Sequence, residues 1–446
     1  MPANKSLLFK NNGVSSIEKF EIDASEIDYD AQLEKGLAAS RNRTAAFNRV
    51  FANSFKKLFM SGGKDSRATL AVLMSVLGNK DFYVHSIDPK KVSDNIKDHV
   101  QKDLSIANKI SLMFGLKFCE LEPELPVRKT PINFEESLSD WQNDFSNVRF
   151  NFQPAYYSYA YDDAQYKVQF RGAGGEIYRG YWSEVFKRYE TTYKKIQDDS
   201  TTVREDAGVI FNALVPGNII PAQIYNSAKA IFADTVATMP GNAFLQKIDQ
   251  HYNFLRHRFH FAHGNRGLRL GELMYLPLID RHFYQASLCL THSQKTSGKL
   301  VFDIVDRINP YLNLIEYDSS AWSQDQLGQS KYLQKASILK LPDFKGSGEY
   351  HPKILLDSSK KFEVPSISNS IASSYNRQSA LMARLRDNLQ FLSKHPQSKI
   401  IFNDKLIKLC AQRIDKKQGI NSLVGKTESI RDALVTLDIN YLSIVA

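Results

Sequence analysis

The sequence predicts an α/β protein built on a parallel sheet, and three observations carry that prediction. Phe55-Lys-Lys-Leu-Phe-Met60 gives a short apolar strand, Ser61-Gly-Gly-Lys-Asp-Ser66 a glycine turn, and Ala68, Leu70, Ala71, Val72 and Leu73 the apolar face of a helix. Residues 81–121 then alternate strand, helix and strand. A further strand, Tyr166-Lys-Val-Gln-Phe170, runs into a second glycine cluster, Arg171-Gly-Ala-Gly-Gly-Glu176-Ile-Tyr-Arg-Gly180-Tyr-Trp182. Alternation of this kind implies right-handed βαβ crossovers and a parallel sheet, with ligands expected at the carboxyl ends of the strands.

Taken in order, residues 1–28 read as an arm with short strands at Leu7-Leu-Phe9 and Phe20-Glu-Ile22. Residues 29–53 are expected to be helical, with Leu33, Leu37, Ala38, Ala45, Phe47 and Val50 as apolar positions. After the glycine turn and its helix comes a strand over 81–87. Residues 94–114 follow with helical spacing of Ile96, Val100, Leu104, Ala107, Ile110, Met113 and Phe114, and Gly115 is suited to a C-cap. A third strand over 116–121 is broken by Glu122-Pro-Glu-Leu-Pro126. Two helices are expected over 132–163, the second rich in aromatic residues that read as core. Residues 184–325 read as mainly helical, with two landmarks, Tyr275-Leu-Pro-Leu-Ile-Asp280-Arg-His-Phe283 and Lys295-Thr-Ser-Gly-Lys299-Leu-Val-Phe. Prolines, glycines and serines over 340–372 read as a linker, followed by helices over 373–394, 403–415 and 427–443. The expected organisation is an arm (1–28), a main α/β domain (29–330) and a mainly helical extension (331–446).

The chain's 446 residues are enough for two to three domains, and 43% hydrophobic residues suffice for a sizeable core. Its net charge of +10 is concentrated in residues 331–446, which hold 19 Lys and Arg against 10 Asp and Glu. Such a segment either attracts an acidic partner or is a solvated helical surface. Cys119, Cys289 and Cys410 are far apart and form no Cys-x-x-Cys pair, which argues against a structural zinc site and a disulfide framework. No apolar run approaches a membrane span, and Met-Pro-Ala-Asn-Lys-Ser lacks the apolar region of a signal peptide, so a cytoplasmic protein without a membrane partner is expected.

The chemistry concentrates in Ser61-Gly-Gly-Lys-Asp-Ser66. Gly62 and Gly63 permit a tight turn, and the following helix start contributes unpaired N–H groups and the positive end of its dipole, a combination that holds phosphate. Ser61 and Ser66 can donate to phosphate oxygens, and Asp65 is placed to take Mg2+ bound to the same phosphates. The bland alternative is an ordinary strand–turn–helix. The pattern Gly-x-x-x-x-Gly-Lys-Ser/Thr is absent.

This hexapeptide resembles the pyrophosphate (PP) loop of the ATP pyrophosphatase superfamily. With the second cluster included, residues 30 to 325 resemble the synthetase domain of the asparagine synthetase family, which includes β-lactam synthetases and lasso-peptide isopeptide synthetases. Gly172-Ala-Gly-Gly-Glu176…Gly180-Tyr is similar to that family's Gly-x-Gly-x-Asp-Glu…Gly-Tyr segment, Tyr275-Leu-Pro-Leu-Ile-Asp280 to its Pro-Phe-Leu-Asp segment, and Gly298-Lys299 to its late Gly-Lys.

The resemblance implies adenylation of a carboxylate by ATP, release of pyrophosphate, and amide formation with ammonia or an amine. It implies that Ser61, Gly62, Gly63, Lys64, Asp65 and Ser66, with Gly172, Gly174 and Gly175, hold the nucleotide. Ser86 and Ile87 would lie near adenine or ribose. Asp65 and Glu176 would bind Mg2+, and Lys299 would stabilise charge in the reaction, with Lys295 the competing choice.

Three departures qualify it. Glu176 stands where the family has Asp. Ala173 replaces an acid or tyrosine, leaving Glu272 and Tyr275 as candidates for a general base or for a structural role. The family's glutaminase segment has no counterpart in the roughly 60 residues before the loop, a span below domain size, so nitrogen is expected from free ammonia, a substrate amine or another subunit. A tRNA- or nucleobase-modifying enzyme and a non-catalytic nucleotide-binding scaffold are the alternatives.

Overall fold

The computed structural model describes residues 5–10, 13–19, 27–79, 81–89, 92, 94–118, 127–131, 157–161, 167–180, 182, 200–214, 222–256, 272–318, 322–330, 333, 392 and 394. Two compact units result. One comprises Met1–Arg128, Ala160–Glu184 and Gly264–Asn369, the other Lys129–Tyr159, Val185–His263 and Ser370–Ala446.

In the first unit, strands Lys5–Lys10 (β1) and Gly13–Lys19 (β2) form an antiparallel pair. Helix Tyr29–Val50 (α1) starts where Asp28 accepts the Ala31 amide at 2.9 Å, a side-chain cap for an otherwise unpaired donor. Its buried stripe, Leu33, Gly36, Leu37, Ser40 and Thr44, follows the helical repeat. Strand Phe55–Phe59 (β3) leads into helix Lys64–Leu77 (α2), which is buried along most of its length. Strand Tyr83–His85 (β4), helix Asp94–Phe114 (α3) and strand Lys117–Phe118 (β5) follow. Gly115 closes α3 with φ +62°, and the Leu116 amide reaches back to the Ser111 carbonyl at 2.8 Å, so the expected glycine cap is present.

Strands Val127–Pro131 (β6) and Tyr157–Tyr161 (β7) form a separate two-stranded sheet. The expected helix over this aromatic stretch is therefore corrected at 157–161. Tyr-Ser-Tyr-Ala-Tyr alternates with period two, and aromatic residues suit a pleated strand. Strand Lys167–Phe170 (β8) is buried throughout.

The second unit contains helices Val203–Leu214 (α4), Ala222–Ala237 (α5) and Phe244–His251 (α6), with a π turn over Tyr252–Arg256. Phe211 packs on Tyr225 and Phe232, at centroid distances of 5.3 and 5.7 Å. The Lys247 ammonium caps the end of α5 by donating to the Ala237 and Met239 carbonyls at 3.1 and 2.5 Å.

The first unit continues with strand Glu272–Tyr275 (β9) and helices Arg281–Leu288 (α7), His292–Ser297 (α8), Lys299–Ile308 (α9), Tyr311–Leu314 (α10) and Gln324–Gly328 (α11). The strand at 272–275 was not expected inside a stretch read as mainly helical; four residues are too few for periodicity to separate strand from helix.

The main sheet has five strands in the order β5-β4-β3-β8-β9, and every neighbouring pair is parallel. The chain thus builds outward from β3 to β5, returns, and builds outward on the other side through β8 and β9. The order reverses between β3 and β8. In open α/β sheets the crevice beyond the carboxyl ends of the two strands at such a reversal is where ligands bind. The core around this sheet takes α2 almost whole, together with Leu33, Leu37, Phe170, Phe283, Leu300 and Ile304.

The expected strand at Phe20–Ile22, most of 116–126, the linker over 340–372 and the last helices lie outside the described residues, apart from Leu392 and Lys394, which are helical. No helix among the described residues is long and apolar enough to cross a membrane.

Candidate functional site

Both glycine segments leave the sheet at the reversal, one from the carboxyl end of β3 and one from that of β8. Register places Leu58 beside Phe170, so the segments start at one level. The Met60 amide donates to the His85 carbonyl at 2.8 Å, which brings the end of β4, and hence Ser86 and Ile87, alongside the first segment. Ser86 is buried and Ile87 exposed.

The first segment is tightly bonded. Ser66 Oγ donates to the Ser61 and Gly63 carbonyls at 2.9 and 3.1 Å, and the Gly63 amide donates to Ser61 Oγ at 3.2 Å. Gly63 stands at the N-cap of α2 without a side-chain cap. The Gly62 amide donates to Asp103 Oδ1 at 2.6 Å, and the Gly62 carbonyl accepts from the Asp318 amide at 3.1 Å. A Cβ on Gly62 would lie 2.7 Å from the Cβ of Asp318 and 2.8 Å from Ile106 Cδ1, so close approach requires glycine here. Lys64 lays its ammonium 3.9 Å from the centroid of the Trp322 ring, a cation–π contact.

The second segment presses against the first. A Cβ on Gly172 would lie 2.4 Å from the Ser66 amide nitrogen, and one on Gly175 2.2 Å from Asp65 Oδ1. Gly174 has φ +107° and faces Ile279. Thr69 Oγ1 on α2 donates to the Arg171 carbonyl at 3.4 Å. Gly175–Tyr178 then form one 3-10 turn that presents Glu176. The Tyr178 hydroxyl donates to the Leu278 carbonyl at 2.5 Å, tying the turn to the Tyr275–Asp280 landmark. Asp280 itself caps α7 through the His282 amide (2.7 Å) and pairs with Arg43.

Two carboxylates therefore meet between the segments. Asp65 Oδ2 accepts from Arg179 Nη2 at 2.5 Å, while Asp65 Oδ1 is buried with no hydrogen-bond partner. Burial raises the Asp65 pKa against the opposing charges of Arg179 and Lys64. Glu176 accepts the Gly174 amide at 2.9 Å; burial, then the nearby charge of Asp65, push its pKa up to about 7. Two hard oxygen donors, one with an orphaned buried oxygen beside its contact to Arg179, fit Mg2+ chemically.

The expected lysine is differently engaged. Lys299 opens α9, but its ammonium lies 2.7 Å from Asp303 and 5.2 Å from the Tyr29 ring centroid; Asp303 also accepts the Tyr29 hydroxyl at 2.5 Å. Gly298, just before it, reaches the site: a Cβ there would meet the Trp322 ring at 3.1 Å and Arg179 Cδ at 3.7 Å. Lys295 is buried on α8. Tyr275 stacks on Phe47 at 4.3 Å and meets Phe170 edge-on, which is a packing role. The side chain of Glu272 lies outside the described residues.

The structure adds residues that sequence reasoning gave no role. Asp103 and Asp318 bracket Gly62, and with His99 they bring three ligand atoms within 4.8 Å of one another. Burial raises the pKa of Asp103. Neither acid has a spacing relation to the glycine turn that a sequence could reveal. Arg67 is buried on α2; it donates to the carbonyls of Leu312 (3.0 Å), Ile315 (2.6 Å) and Glu316 (2.6 Å) and stacks on Tyr317, holding the turn that delivers Asp318. Arg179 was visible as the cation inside the second glycine cluster that follows its acid, three residues after Glu176. No protein-family model matches the chain, and no curated protein is detectably similar to it.

Proposed function

We propose that the protein is an ATP-dependent, AMP-forming ligase with a PP-loop core, which adenylates a carboxylate and joins it to ammonia or an amine. One observation carries the reading: two glycine segments at the reversal of a parallel sheet bring Asp65 and Glu176 together beside a helix start. That arrangement suits a nucleotide's phosphates and their metal better than a purely structural turn, because it sets two acids, one with an unbonded buried oxygen, beside a helix start.

In this reading Ser61, Gly62, Gly63, Lys64 and Ser66 hold the pyrophosphate half, and Gly172, Gly174 and Gly175 give the backbone room to approach it. Ser86 and Ile87 lie toward the nucleoside. Asp65 and Glu176 would hold Mg2+, which would supply positive charge against the negative charge that spreads when the α-phosphate is attacked. The acid's oxygen bonds to the α-phosphorus as pyrophosphate leaves; the nitrogen then bonds to the acyl carbon as AMP leaves.

Pyrophosphate exchange into ATP tests the reading, first with pools of carboxylic acids and then with total tRNA. Exchange that requires a small acid supports the ligase. Exchange that requires tRNA supports the second reading, a nucleobase-modifying enzyme, which the basic excess of 331–446 favours. No exchange leaves a nucleotide-binding scaffold. Asp65→Ala is expected to abolish exchange. Lys299→Ala is expected to bind ATP without turning over; normal turnover assigns the charge-stabilising role to another cation.

A further inference from the structure

We propose that Arg179 binds the nucleotide's phosphates directly and competes with the divalent cation for Asp65. This rests on the nucleotide reading above. The family resemblance supplies no role at this position.

Four observations converge on Arg179. Its Nη2 lies 2.5 Å from Asp65 Oδ2, so a cation already sits on one oxygen of the acid expected to take the metal. Its Nε is buried without a hydrogen-bond partner, so the guanidinium holds an unused donor. The side chain is 34% exposed, against 17% for Asp65, so it reaches solvent while its Nη2 contacts the acid. Its backbone closes the 3-10 turn that presents Glu176, and its Cδ borders Gly298. Lys299, the other expected cation, is held by Asp303.

A second cation cannot take Asp65 without weakening the first contact. Mg2+ arriving with ATP adds positive charge at the carboxylates, and the displaced guanidinium then has a phosphate within the same crevice. A planar fork of donors matches a phosphate edge better than an ammonium does. One residue thereby serves two anions in turn.

The test uses the full chain and the variants Arg179→Met and Arg179→Lys, each checked for an unchanged thermal melt. Mn2+ binding is followed without nucleotide by loss of the free-ion paramagnetic resonance signal. ATP binding is followed separately, in excess chelator. Arg179→Met is expected to bind Mn2+ about 3- to 10-fold more tightly, because its competitor is gone, and ATP about 10-fold more weakly. The Mn2+ gain must vanish in the Asp65→Asn/Arg179→Met double variant, which separates it from ions held by His99, Asp103 and Asp318. Arg179→Lys is expected to keep wild-type Mn2+ affinity yet bind ATP several-fold more weakly, and it carries the test if the Met variant does not fold. Unchanged Mn2+ and ATP affinities in variants of a wild type that binds both would overturn the role of Arg179 alone. A wild type that binds neither overturns the nucleotide reading and this inference with it.

Discussion

The two glycine segments leave neighbouring parallel strands at the same edge of one sheet, yet they do different work. Ser61–Ser66 turns into a 14-residue helix and bonds mostly to itself. The second segment makes a single 3-10 turn, and its glycines matter for what they lack: a Cβ on Gly172 or Gly175 would strike the first segment's backbone or its acid. One segment supplies donors and a helix start. The other supplies clearance and a second carboxylate. A glycine count alone does not separate these roles; what each missing Cβ would touch does.

The sharpest break in that comparison is behind the first segment. Arg67→Met removes the buried donor of three carbonyls and leaves them unpaired, with an expected loss of about 3–5 kcal/mol in urea unfolding. Next comes the contact between the segments. Gly172→Ala is expected to cost about 2–3 kcal/mol, because the new methyl meets backbone rather than a movable side chain.

Acid gives an effect of similar size in the helical unit through His251, separate from the proton that Glu176 of the second segment takes up near pH 7. Burial pushes the His251 imidazole down to about 4 from its usual 6.5. The unfolded chain therefore takes up the proton first as pH falls. The stability that His251 contributes above pH 6.5 is expected to drop by about 2–3 kcal/mol toward pH 4, relative to a chain without this imidazole. His251→Phe should remove that part of the pH slope in unfolding midpoints.

Tyr178→Phe loosens the second segment from Leu278 and Asp280 and should cost about 1–2 kcal/mol, less than Arg67→Met, because a neutral hydroxyl is lost rather than a buried charged donor of three carbonyls. The smallest effect is expected at Gly63→Ala, about 0.5 kcal/mol. Gly63 has φ −82°, and its new methyl would meet only side-chain oxygens, Ser61 Oγ at 3.1 Å and Asp318 Oδ2 at 3.9 Å. Equal losses at Gly63 and Gly172 would erase the distinction between the segments.

The sequence by itself determined the local elements. Apolar spacing placed α1, α3 and the strand–turn–helix at 55–77, because a helix or strand that buries one face must repeat its apolar residues at its own period. Composition also singled out both glycine segments and their two acids. It missed β7 and β9, where runs of four or five residues carry too little periodicity against a helical background. The tertiary structure decided the rest. Strand order put the segments side by side, Asp103 and Asp318 came to Gly62 from positions 41 and 256 residues away in the chain, and Arg179 turned to Asp65. Arg179 meets an acid 114 residues away, a distance set by packing rather than by any local pattern, whereas Lys299–Asp303 is an i, i+4 pair that helix geometry alone offers.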